Sequence, residues 1–230
     1  MKLFCLPYAG GAEAIYYKWK KHLNSSIQLE PIELKARGKR FNESFYETLE
    51  EAVEDIFQII KDKIVHDEYA IYGHSMGSLL AYELYYKIAS KDLKIPKHIF
   101  FSGYKSPDIK SQEKHIHLLP DEEFIREVIG LGGTSEELLD NKELLELFIP
   151  ILRSDFRVLE NYVYINREDK IQCDISVLSG KEDDITQEEI LAWKNHGDKE
   201  FKVHNVEGGH FFINTNSEII TDIINKTLAQ

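Results

Sequence analysis

The sequence predicts an α/β chain, a mostly parallel sheet covered by helices on both faces with a helical lid inserted into it. Three observations predict this. Strand-like runs alternate with amphipathic helix-like runs up to about Tyr104 and again from Asp174 onward, the pattern of a sheet wrapped by helices. From about Lys105 to Asn166 the alternation stops and only helical patterns remain. A Gly73-His-Ser-Met-Gly77 pentapeptide lies between a β-like run, Tyr69 to Tyr72, and a helix-like run from Met76 to about Ser90. It places a serine at a sharp strand-to-helix turn.

Taken in order, Lys2 to Tyr8 reads as a short buried strand, followed by a Pro7-Tyr-Ala-Gly-Gly11 loop. Ala12 to Leu23 reads as helix, with Ile15, Trp19 and Leu23 on one face. Ile27 to Leu34 is a strand whose Pro31 marks a sheet edge or a bulge. A basic loop follows, carrying Lys35, Arg37, Lys39 and Arg40. Thr48-Leu-Glu-Glu51 is a capping box opening a long amphipathic helix with Leu49, Val53, Ile56, Phe57, Ile60 and Ile64.

After the Ser75 turn and its helix, Lys97 to Tyr104 is a strand. The insertion reads as three helices, Asp121 to Ile129, Ser135 to Leu139 and Lys142 to about Tyr162, with Gly130, Gly132 and Gly133 between the first two. An all-helical segment of this length in an α/β chain suits a lid over a site rather than a second core. Its apolar residues (Phe124, Ile125, Val128, Ile129, Leu147, Phe148, Leu152) recur at helical spacing, which favours core over substrate pocket. Asp174 to Ser179 resumes the strands. A Gly180-to-Asp184 turn, a second capping box at Thr186-Gln-Glu-Glu189 with a helix through Trp193, and a strand at Phe201 to Val206 follow. A Glu207-Gly-Gly-His210 loop and a terminal helix from Ser217 to Leu228 complete residues 1–230 as a single domain with its lid at about 105–166.

The net charge of −12 argues against general nucleic-acid or anionic-membrane binding. Cys5 and Cys173 make no C-x-x-C pair and no metal spacing, and read as buried free thiols of a reducing compartment. The apolar start of the chain is too short for a signal peptide and is broken by Pro7 and Gly10-Gly11. No apolar run approaches transmembrane length, so the expected location is the cytoplasm and the default state a monomer.

Active sites of such sheets lie at the carboxyl ends of strands, and Tyr8-Ala9, Ser75, Asp183 and His210 all fall just past predicted strand ends. A serine hydroxyl becomes a useful nucleophile when a histidine, held by a carboxylate, takes its proton. The chain order Ser75, Asp183, His210 suits that chemistry. The acid is Asp183 or its neighbour Asp184, and Asp183 is favoured by its place three residues past Gly180. An oxyanion hole needs two backbone N–H donors: one from Met76, at the start of its helix, the other from Tyr8 or Ala9. Of the other histidines, His22, His66 and His196 lie near helix ends and read as solvated. His98 and His204 fall within strands, His74 suits turn or packing chemistry, and no metal companion is visible for His115 and His117.

With these residues in hand, the chain resembles type II thioesterases of non-ribosomal peptide and polyketide synthase systems, which belong to the α/β-hydrolase superfamily. The resemblance runs nearly end to end. It rests on Cys5-Leu-Pro-Tyr-Ala-Gly-Gly, Gly73-His-Ser-Met-Gly and Phe101-Ser-Gly-Tyr. It rests also on the lid strings Leu119-Pro-Asp-Glu-Glu-Phe, Leu131-Gly-Gly-Thr and Leu152-Arg-Ser-Asp-Phe, then on Gly180-x-x-Asp183 with Trp193, and on Gly208-Gly-His210-Phe-Phe. The lid strings are more specific than the elbow, since a generic esterase has no reason to carry them. The resemblance implies hydrolysis of acyl thioesters on the phosphopantetheine arm of carrier proteins, with Ser75 as nucleophile, His210 as base, Asp183 as orienter, and Met76 and Ala9 supplying oxyanion N–H groups. It implies no metal and no organic cofactor, the phosphopantetheine belonging to the partner. Where relatives often read Leu-Pro-Gly-Arg, this chain has Leu34-Lys-Ala-Arg37. That gain of charge makes Lys35, Arg37, Lys39 and Arg40 candidate contacts for an acidic carrier, with a solvated loop as the alternative. Competing expectations are a small-molecule carboxylesterase or lipase, a type I release activity, and a carrier-binding module without useful catalysis.

Overall fold

Six parallel strands form one sheet in the order β2-β1-β3-β4-β5-β6. They are β1 (Lys2–Leu6), β2 (Gln28–Pro31), β3 (Tyr69–His74), β4 (His98–Ser102), β5 (Asp174–Gly180) and β6 (Phe201–Val206). The computed structural model describes residues 1–110, 115–132 and 142–229. The helix expected at Ser135 to Leu139, and Gly133 and Thr134 of the second lid string, lie outside the described residues.

Alternation along each strand splits the core into two layers, because successive side chains point to opposite faces of a sheet. Phe4, Leu6, Ile71, Ile99, Phe101, Ile175 and Val177 face one layer, where α1 (Leu49–Ile64) and α2 (Met76–Ala89) pack. Leu3, Cys5, Ala70, Tyr72, Phe100 and Leu178 face the other, closed by α7 (Ser217–Leu228) and a 3₁₀ helix at Glu13–Lys21. That stretch was expected to bury Ile15, Trp19 and Leu23. With three residues per turn instead of 3.6, it buries Tyr16 and Trp19 fully, while Ile15 and Leu23 pack half-buried against the same layer. Pro31 closes β2 at the sheet edge, where its missing N–H costs no ladder bond.

Thr48 caps α1 by accepting from the Glu51 N–H at 3.2 Å, but the Glu51 carboxylate accepts from Glu47 N–H, so only half of the expected box forms. The box at Thr186 and Glu189 forms completely and opens α5 (Gln187–Leu191), which passes into a 3₁₀ turn at Ala192–His196. The lid contains α3 (Asp121–Gly130) and α4 (Lys142–Glu160) around a third apolar cluster of Ile116, Phe124, Ile125, Val128 and Leu152. A short α6 (Phe212–Thr215), not anticipated from sequence, follows the His210 loop. Among the described residues no helix is long and apolar enough to cross a membrane.

Burial of histidine ties this fold to pH. His98 in β4 is 5% exposed and packs against Phe100; burial, the leading cause, pulls its pKa down to about 4. The unfolded chain therefore takes up a proton near its ordinary pKa of about 6.5 that the folded chain refuses. Stability from this group is full above that pH and is lost as pH falls through the window toward 4. Urea titrations should show a loss of about 2 kcal/mol at pH 5 relative to pH 8 from His98 alone. His98→Gln should remove that share of the slope; an unchanged pH profile in the variant would contradict the assignment.

Candidate active site

The strand order reverses at β1: β2 lies to one side of it and β3 to the other. This switch point opens a crevice at the carboxyl ends of the strands. The loop after β1 and the turn after β3 meet there, Leu6 pairing with Gly73 in register. Ser75 occupies the turn at φ 52 and ψ −117, a conformation that costs a non-glycine residue about 1–3 kcal/mol. The glycines either side exist for close approach. A Cβ on Gly73 would lie 2.0 Å from the Gly77 carbonyl oxygen, and one on Gly77 would lie 2.1 Å from that of Leu6. The elbow is thereby pressed against both the start of α2 and the end of β1.

The other two candidate residues come from neighbouring strands. Gly180 pairs with Val206, and Glu182 N–H donates to Gly208 O at 3.1 Å, so the turn after β5 and the loop after β6 are held together. His210 Nε2 lies 3.0 Å from Ser75 Oγ, and His210 Nδ1 lies 3.1 Å from Asp183 Oδ2. The Asp183 side chain is 5% exposed, whereas Asp184 points to solvent. Ser75, His210 and Asp183 thus form one hydrogen-bonded line, and Asp184 stands outside it. Met76 opens α2, where a first-turn amide has no intrahelical acceptor. Ala9 lines the same cavity as Ser75 and His210.

That cavity has a volume of about 820 Å³ and reaches from the elbow up beneath the lid. Val128, Phe148 and Leu152 of the lid line it, as do Phe156 and Leu159, while Phe124 and Ile125 are fully enclosed in the lid's own core. The apolar lid residues therefore divide between core and pocket instead of falling to core alone. Leu147, on the outer side of α4, is 55% exposed.

Sequence reasoning undervalued His74. It is wholly buried, and its Nε2 lies 2.9 Å from the His210 carbonyl oxygen. A carbonyl only accepts, so Nε2 carries the proton and Nδ1 accepts from Ser102 Oγ at 2.9 Å. Tyr72 in turn donates to Ser102 Oγ at 2.7 Å. Burial first, and then the neighbouring His210, hold the His74 pKa well below the usual value, which keeps the ring neutral. The residue just before the serine of the elbow thus fastens the backbone of the histidine loop. Only its adjacency to Ser75 in sequence could have signalled this.

The basic loop is not a free cationic surface. Arg37 is 4% exposed and makes a two-pronged ion pair with Asp155 of α4, at 2.6 and 2.7 Å. Burial opposes its charge, but Asp155 more than offsets that and raises its pKa. Arg40 pairs with Asp55 and Glu43. Lys39 pairs with Glu13, and the Lys35 ammonium sits over the Tyr46 ring. Of the four candidate docking residues, Arg37 and Arg40 thus spend their charge on acids within the molecule, whereas the Lys39 side chain stays 65% exposed beside Glu13. Ala36 has φ 62, which accounts for glycine being usual there in the family resembled.

Two further histidine readings change. His196 is buried, between Tyr82 and Asp108, not solvated. His115 and His117 do have a companion, Glu160 of α4, with ligand atoms of the three residues within 4.8 Å of one another. Both Glu160 oxygens already accept, one from Ile116 N–H and the other from His117 N–H and Nδ1. This is the construction of a hydrogen-bonded tie between the start of the lid and α4, with the Glu160 oxygens already taken.

Comparison with known proteins agrees with this architecture. A thioesterase domain family model matches residues 1–228. Gramicidin S biosynthesis protein GrsT of Aneurinibacillus migulanus is 36% identical over 93% of this chain and 83% of its own. A protein named linear gramicidin dehydrogenase LgrE, of Brevibacillus parabrevis, is 34% identical over 98% of this chain and 87% of its own. Among solved structures, ClbQ from the colibactin NRPS/PKS pathway superposes with a TM-score of 0.95 at 36% identity, covering 99% of this chain and 96% of that one.

Proposed function

The chain belongs to the thioesterase family and is a thioester hydrolase of the α/β-hydrolase fold, and from that premise we propose that it is a type II enzyme cleaving acyl groups from the phosphopantetheine arm of carrier proteins through Ser75, His210 and Asp183. The observation that carries the reading is the line of hydrogen bonds from Asp183 through His210 to Ser75, 3.1 and 3.0 Å long, on the floor of the lidded cavity. Relatives in gramicidin and colibactin pathways support the carrier-bound substrate.

In this mechanism His210 Nε2 takes the Ser75 proton as Oγ attacks the thioester carbonyl. The oxyanion is met by the N–H groups of Met76 and Ala9. As the C–S bond breaks, His210 returns the proton to the departing pantetheine thiolate, leaving an acyl-serine. Water enters, His210 takes its proton, and the free acid leaves as Ser75 recovers its hydrogen. Asp183 holds Nδ1–H and stabilises the imidazolium formed in each half-reaction. No step draws on a cofactor of the enzyme's own.

Mass spectrometry on a panel of acyl-loaded carrier proteins tests the proposal. Acyl groups should leave the carriers at rates well above those for the matching simple oxygen esters. Brisk hydrolysis of simple esters with intact acyl-carriers would replace this reading with that of a carboxylesterase.

A further inference from the structure

Gly10, at the turn of the loop after β1, is held from above by the lid. Its N–H donates to Asp155 Oδ2 at 2.7 Å. The same carboxylate takes both prongs of Arg37, whose Nη1 also donates to Gly11 O at 3.2 Å and whose Nε donates to Lys35 O at 3.1 Å. Leu152, three residues before Asp155 and so on the same face of α4, packs down on the same point. A Cβ on Gly10 would lie 2.5 Å from Leu152 Cδ2, and Gly10 itself sits at φ 77. The turn closes on itself through Gly11 N–H to Tyr8 O at 2.8 Å, but the Gly10 N–H takes no part in that bond and is met by the lid helix, with the basic loop holding the Gly11 carbonyl.

We infer that the buried Arg37–Asp155 pair is a positioning device for the oxyanion hole: it fixes the Ala9-Gly10 peptide through the Gly10 N–H and thereby sets the aim of the Ala9 N–H at the substrate carbonyl. The inference rests on the proposed thioesterase mechanism and deepens it. It explains why two stretches far apart in sequence, Arg37 and the Leu152-Arg-Ser-Asp-Phe string, carry charge inside a dry contact. Neither residue touches the reacting atoms; both act through the loop. The base of α4 is consequently a fixed part of the site, whatever the rest of the lid does. Acyl selectivity and oxyanion geometry then share one helix, with Leu152 and Phe148 facing the cavity and Asp155 holding the loop.

The pair could instead be a staple that does no more than join lid to sheet, and the experiment is chosen to separate the two. Replacing a buried ion pair by apolar residues of similar size often leaves stability unharmed, whereas removing one partner strands a charge. The double variant Arg37→Met/Asp155→Leu is therefore expected to stay folded, with a Tm lowered by only a few degrees as the backbone groups served by the pair lose their partners, and to lose the acceptor of the Gly10 N–H. Its kcat on an acyl-carrier should fall between about 10- and 100-fold, the scale of a misaimed oxyanion donor. KM should stay within about twofold, since ground-state binding is untouched. Its rate of inactivation by a fluorophosphonate, whose phosphoryl oxygen needs the same hole, should fall in parallel.

Asp155→Asn keeps an acceptor for Gly10 and should recover at least about fivefold in kcat over Asp155→Leu, each measured per titrated active site. That comparison stands even where the double variant folds poorly. Wild-type kcat and inactivation rate in a folded double variant, or equal kcat for Asp155→Asn and Asp155→Leu, would overturn the inference. Failure of the underlying mechanism would show separately, as acyl-carrier turnover by wild type that persists in Ser75→Ala.

Discussion

Replacing Ser75 by alanine is expected to lower kcat on acyl-carriers by at least about 10⁴-fold, or roughly 5 kcal/mol of transition-state stabilisation. What remains should be the weak catalysis of a hole and a cavity without a nucleophile. The substitution is clean for a structural reason. The strain at φ 52 comes from the backbone and Cβ, both of which alanine keeps, and Ser75 Oγ makes its side-chain hydrogen bond to His210. The Tm should thus stay within a degree or two of wild type, so lost activity cannot be ascribed to lost fold. Intact-mass spectrometry of wild type mixed with excess acyl-carrier should reveal an acyl adduct on the enzyme in the first turnover, absent from the variant. Full turnover by a folded Ser75→Ala enzyme would remove Ser75 from the mechanism.

The second large effect distinguishes two adjacent acids. Asp183→Asn should lower kcat by about 10⁴-fold, because an amide in place of the carboxylate allows His210 the wrong tautomer and gives the imidazolium no counter-charge. Asp184→Asn should change kcat by less than about twofold, since its side chain is exposed and outside the hydrogen-bonded line. Steady-state kinetics on one acyl-carrier substrate checks both. The reverse ranking would move the acid to Asp184 and would mean that the turn after Gly180 rearranges when substrate binds. The 3.2 Å bond from Asp183 N–H to Gly180 O and the tie from Glu182 to Gly208 oppose such a rearrangement.

Much of the fold could be read from the chain because its signals are local. Strand β6 and helix α7 have the bounds that period and capping predict. The elbow was readable because the residue types at positions 73, 75 and 77 answer to contacts within the strand-turn-helix unit and with the adjoining strand. Errors gathered where the local signal is ambiguous. A 3₁₀ and an α-helix share a composition, so the helix type of Glu13–Lys21 and the burial of Tyr16 beside Trp19 were not read, although Ile15 and Leu23 do pack against the same cluster. The half-formed box at Thr48 shows the same limit, because a glutamate at the third position states that a bond is feasible, not which amide it takes.

Charge was the property read least well. Four cations within six residues look like a surface from the chain alone, and two of them prove to be partners of acids on α1 and α4. Asp155 lies 118 residues from Arg37, and no periodicity links positions so distant. His74 gives the same lesson at longer range, since its partner is a backbone carbonyl 136 residues away.

The sequence by itself determined the α/β class, most of the strand and helix segments, the serine at its strained turn, and an order of Ser75, Asp183 and His210 that suits acyl transfer. These follow from short-range rules: the alternation of side chains along a strand, the turn of a helix, and the room a serine needs between glycines. Tertiary structure alone decided which of two aspartates faces the histidine and which lid residues line the cavity. It also decided that Arg37 is buried against the lid and that His74 holds the loop of its neighbour. Those outcomes depend on pairings across the sheet and between the sheet and the lid, and burial settles them: a charge or polar atom removed from water must be met by whatever the fold brings to it.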